Sequence, residues 1–111
     1  MQTDAPGVMG DTSIMIISWW NLGPGDPSVQ DMEADIFQGA DDWSSCPGLL
    51  SKYWLADPEN RRWGGVMVWE RRPAADLPIN RAAQLIGRPA DVRFIFAVPK
   101  IVHGIQGNHP R

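Results

Sequence analysis

The feature that most constrains this chain is a set of strand-like segments that are apolar on both of their faces. A strand turns successive side chains to opposite sides, so a half-exposed antiparallel strand alternates apolar and polar residues. The segment Ser13–Trp20 does not: Ile14 and Ile16 point one way, while Met15, Ile17 and Trp19 point the other. Val66 and Val68 likewise oppose Met67 and Trp69, and Phe94, Phe96 and Val98 oppose Ile95 and Ala97. A sheet built from these segments needs cover in front and behind.

The rest of the chain orders them. Val29, Met32, Ile36, Ala40 and Trp43 recur at helical spacing after Asp26-Pro27, a helix start in which Asp caps free N–H groups and Pro suits the first turn. Gly39 and Asp41-Asp42 weaken the distal part and predict a kink or break, and Cys46-Pro47-Gly48 ends the element. Leu49–Leu55 and Gly64–Trp69 read as a hairpin around Asp57-Pro58-Glu59-Asn60, with residues 61–63 available to extend either strand. A shorter helix is expected from Asp76 to Ile86, with Leu77, Ala82, Leu85 and Ile86 on its buried side, closed by Gly87. A last strand spans Val92–Val98. Pro99 interrupts it, and Ile101-Val102 are placed to resume it.

The order β-α-β-β-α-β predicts an α+β, ferredoxin-like fold. Its four-stranded antiparallel sheet has strand order 4-1-3-2, with Pro99 on an edge strand that tolerates a missing N–H. Both helices then lie on one face. A chain of 111 residues has no second sheet for the other face. A second copy related by twofold symmetry is expected to supply it, forming a dimeric α/β barrel with an interface on the order of 1,600 Å² or more. Residues 1–12 and 104–111 read as tails around a domain at 13–103.

Charge and cysteine usage narrow the function classes. Net charge is −3, yet residues 1–51 hold eight acids and no Lys or Arg, whereas residues 52–111 hold ten bases and five acids. Two elements of opposite sign packed side by side explain this. A sequence pI near 5.1 argues against a nucleic-acid surface. The apolar run Ile14–Ile17 is too short for a membrane span, and no signal or transit pattern is evident, so a cytoplasmic location is the expectation. Cys46, the single cysteine, permits no internal disulfide and reads as a small buried residue. His103 and His109 are not at a metal-binding spacing, and Asp41-Asp42 read as a solvated pair. Gly64-Gly65 lack the helix and Lys-Ser/Thr of a phosphate loop, and predict a bulge or a close backbone approach.

Six tryptophans are the compositional oddity, since Trp concentrates in cores, pockets and interfaces. Trp19, Trp54 and Trp69, with Met67, offer flat apolar walls for a small aromatic ligand. Asn21 can hydrogen-bond at a strand end, and His103 offers an imidazole for acid–base work. Lys52 is a cation in an otherwise apolar strand; it either reaches into water as an edge-strand guard or, facing a cleft with Trp54, binds an anionic aromatic ligand.

A family resemblance rests on Gly48-Leu49-Leu50, Lys52, Trp54, Asn60, Gly64-Gly65 and the following apolar strand to Glu70. The Trp20-Asn21 strand end with its Gly/Pro loop adds to it. This pattern resembles the YdhR-like mono-oxygenases among the dimeric α/β-barrel proteins, near the antibiotic-biosynthesis monooxygenases. The resemblance covers about a third of the chain. It implies a homodimer with a cleft between helices and sheet, and oxygenation of a small aromatic or polyketide-like substrate without metal, flavin or haem. On that reading Asn21, Lys52 and His103 carry the chemistry, and Trp19, Trp54, Met67 and Trp69 bind substrate. Alternatives on the same scaffold are a lactone isomerase or dehydratase, a non-catalytic small-molecule binding protein and, more remotely, haem degradation.

Overall fold

A computed structural model describes residues 12–71 and 80–105. The strands are β1 (Ser13–Asn21), β2 (Leu49–Asp57), β3 (Arg62–Trp69) and β4 (Val92–Val98); the helices are α1 (Val29–Ile36) and α2 (Arg81–Ile86), and a 3-10 segment spans Phe37–Ser45. All strand pairs are antiparallel and the sheet order is β2-β3-β1-β4, the expected ferredoxin-like arrangement. The hairpin strands are longer than the apolar runs alone indicate, because Asp57 and Arg62 pair across the turn at 2.8 Å. Arg61 takes a left-handed φ of 54° to make that turn. No helix among the described residues is long and apolar enough to cross a membrane.

Both helices start later than their composition indicates. Ser28, not Asp26, caps α1: its hydroxyl accepts from the Asp31 N–H at 3.0 Å, and the Asp31 carboxylate accepts from the Ser28 N–H in return. Asp26 instead accepts from the Gly23 N–H at 2.7 Å and pairs with Arg88 at 3.0 Å, which fixes the loop after β1. The helical stripe ends at Ile36; Ala40 and Trp43 sit on the 3-10 segment, where Gly39 and Asp41-Asp42 interrupt the α-helix. Asn80 caps α2 by accepting from the Ala83 N–H at 3.1 Å, so the helix starts at Arg81 rather than Asp76. Residues 76–79, including Leu77, fall outside the described residues, as do 1–11 and 106–111 of the expected tails. Gly87 closes α2 at φ 88°. Ile101-Val102 do not resume β4, which ends at Val98 before Pro99 removes a donor.

The core lies between helices and sheet in two clusters. Trp20, Leu22, Val29, Met32, Ile36, Trp63 and Ala82 form the larger, and Ile14, Ile16 and Trp69 the smaller, with half-buried Cys46 beside it. Gly64 allows β1 and β3 to come this close: a Cβ there would lie 2.6 Å from that of Trp19. The bulge found among the described residues lies elsewhere, between Leu49 and Ser51 on β2. Acids of the first half meet arginines of the second at Asp35–Arg81 (2.7 Å) and Asp26–Arg88. These pairs realise the charge asymmetry within the one chain.

Candidate functional site

Strand register sorts every sheet residue to one face. On the helix side, one row across the sheet reads Trp54, Gly65, Ser18, Arg93, and the next reads Lys52, Met67, Ile16, Ile95. The small pair Gly65 and Ser18 leaves a depression between bulkier neighbours. Above it lies a cleft of about 1420 Å³, floored by this row and walled by α1, the 3-10 segment and α2.

Lys52 enters this cleft half-buried. Its Nζ sits 4.3 Å from the Trp43 ring centre and 5.0 Å from that of Trp54. It forms no ion pair among the described residues. Desolvation pushes its ammonium down from 10.5 to about 8, while the two ring faces favour the charged form. Phe37 buttresses the wall, edge-on to Trp54 at 6.1 Å and tilted against Trp63 at 6.2 Å.

The residues proposed from sequence divide between locations. Lys52, Trp54 and Met67 line the cleft. Trp69 faces the helix side but is fully buried in the smaller cluster, its indole Nε1 without a hydrogen-bond partner among the described residues, and it does not line the cleft. Trp19 lies on the opposite face against Phe94, at 6.4 Å. Asn21 ends β1 at a structural knot: its N–H donates to Asp91 at 2.7 Å and its carbonyl accepts from Arg88 at 3.1 Å. Arg88 also holds Asp26 and Asp91, and these contacts raise the guanidinium pKa and lower both carboxylates. His103 is exposed beyond β4 and is not part of the cleft lining. Among the described residues no His, Cys, Asp and Glu cluster is arranged to hold a metal.

Ser18, Trp43, Gly65 and Arg93 are cleft residues that the sequence pattern did not assign to the site. Parity offered a signal for Ser18, which shares its face with Ile14, Ile16 and Trp20. Arg93 needed the β1–β4 register.

No protein-family model matches the sequence, and no curated protein matches it. Solved structures do. A proposed antibiotic biosynthesis monooxygenase from Chloroflexus aurantiacus J-10-fl is similar over 86% of this chain and 100% of its own, with TM-score 0.56 and 23% identity. A second protein so described, from Bordetella bronchiseptica, covers 82% of this chain and 99% of its own, with TM-score 0.49 and 17% identity. The first likeness shows the fold.

Proposed function

We propose that this protein is a homodimeric, cofactor-independent monooxygenase of the YdhR-like type, acting on a small aromatic or polyketide-like substrate in the helix–sheet cleft. One observation carries the reading: the Lys52 amine lies between two tryptophan rings with no carboxylate partner among the described residues, and burial brings it within reach of its neutral form near physiological pH. The name of the Chloroflexus aurantiacus neighbour points the same way.

Such a reaction needs a flat binding site and a base. The tryptophan walls receive the ring. Neutral Lys52 takes a proton from an acidic methylene of the substrate, and the resulting carbanion passes one electron to dioxygen. Recombination forms a carbon–oxygen bond, giving a peroxide that is protonated by the Lys52 ammonium. Loss of water then leaves a carbonyl. The balance is one methylene plus one O₂ to one carbonyl plus one water. Lys52 is the catalytic base, and Trp54 and Met67 are binding residues. Trp19, Trp69, Asn21 and His103 lie outside the cleft lining and have no part in this step.

The test is oxygen uptake with anthrone-type substrates, using ¹⁸O₂ to follow one atom into product and one into water. The rate is expected to rise with pH through about 8, as Lys52 loses its proton. Lys52→Gln is expected to remove that rise and lower kcat by about 100-fold or more. Saturable binding with no turnover would instead identify a binding protein, and turnover without oxygen use an isomerase or dehydratase.

A further inference from the structure

The cleft holds a second cation whose position the proton transfer leaves unused. Arg93 stands opposite Ser18 in the β1–β4 register, on the helix side, and lines the cleft. The other arginines there are committed: Arg81 to Asp35 through two hydrogen bonds, and Arg88 to Asp26 and Asp91. Arg93 has no ion pair or hydrogen-bond partner among the described residues, and neither does the Ser18 hydroxyl next to it.

The row that contains Arg93 has a distinctive profile. Trp54 stands at one end, Arg93 at the other, and Gly65 and Ser18 form the low floor between them. Three strand spacings separate the ends, about 14 Å. A polycyclic ring system fills such a trough better than a single benzene ring. A guanidinium is a planar fork that matches a carboxylate with two parallel hydrogen bonds. Two acids also line the cleft, Asp35, which is held by Arg81, and Asp42, and neither pairs with Arg93, so among the described residues that fork is free for a ligand.

We infer that Arg93 is the anion anchor of this cleft, and that the substrate is a flat polycyclic aromatic carrying a carboxylate at the end remote from Trp54. This deepens the reading above and rests on its choice of cleft. Arg93 orients the ring while Lys52, two residues further along the strands, reaches the acidic methylene. The carboxylate gives selectivity among flat apolar molecules that stack on tryptophan equally well.

The test is a tryptophan-quenching titration with an anthraquinone monocarboxylate and with its primary amide, which has the same shape without the charge. The wild type is expected to bind the carboxylate about 10-fold or more tightly than the amide. Arg93→Gln is expected to erase that preference while leaving amide affinity within about twofold. Arg93→Lys keeps part of the preference, because a point charge cannot reproduce the fork. Equal affinities in the wild type would overturn the inference. So would a preference that survives Arg93→Gln, which would move the anchor to Lys52. Arg93 is exposed on an edge strand, so the variants are expected to fold, and circular dichroism checks this. The titration consumes no oxygen, so a protein that fails as an oxygenase still reports on Arg93.

Discussion

The two faces of the sheet are made of similar residues and meet different fates. On the helix side, Trp20, Trp63 and Trp69 are buried by this chain's own helices, and the space left over is edged by Lys52 and Arg93. On the other side, Met15, Ile17, Trp19, Val66, Tyr53, Leu55, Phe94 and Phe96 share a surface whose charges, Asp57 and Arg62, neutralise each other at one end. Tyr53, Phe94 and Phe96 there are each at least half exposed. An apolar surface edged with cations that form no ion pair among the described residues suits a small anionic aromatic molecule. One without them suits another apolar surface of its own size, and the dimer proposed above supplies it.

The largest effect that separates the faces is expected from Trp63→Ala. Trp63 is 1% exposed in the larger cluster, so its removal should lower stability by about 3–5 kcal/mol in urea unfolding, at any protein concentration. Phe94→Asp probes the other face. A charge buried there without a partner should weaken association by about 3 kcal/mol, more than 100-fold. Light scattering after size exclusion would show monomers at micromolar concentration. A wild type that is already monomeric would break the comparison, since the second face would then need no partner.

Smaller changes sharpen it. Lys52 has its pKa lowered from 10.5 to about 8 by burial, so between those values the unfolded chain binds more protons than the folded one. Stability should therefore rise as pH climbs through this window, with the burial cost fully present below about 8. Lys52→Met should flatten that rise and increase the melting temperature at neutral pH, as thermal scans across the window would show. Ser28→Ala, which removes the α1 cap on the helix side alone, should cost about 1 kcal/mol without altering the oligomeric state; Ser28→Asp should restore most of it.

The fold was readable because its signals are local and repeated. Strand parity, Pro and Gly punctuation and the order of elements all pointed to the observed sheet. The start of α1 was misplaced because two capping residues competed within a few positions. Ser28 has its reciprocal partner in Asp31, whereas Asp26 is drawn to Gly23 and Arg88, 62 residues away. The site was legible in part. Parity alone put Lys52 with Trp54 on one side of β2, but could not say which side met the helices.

Sequence by itself determined that these strands are apolar on both sides and that α and β segments alternate in the ferredoxin-like order, because side-chain period and turn chemistry are properties of neighbours along the chain. Only the tertiary structure decided that Lys52 and Arg93 share a cleft with Trp54 while Trp19 looks the other way, and that Trp69 is sealed in the core. Those outcomes depend on register between strands far apart in sequence and on which face the helices cover. A shift of one residue in that pairing would exchange the two faces.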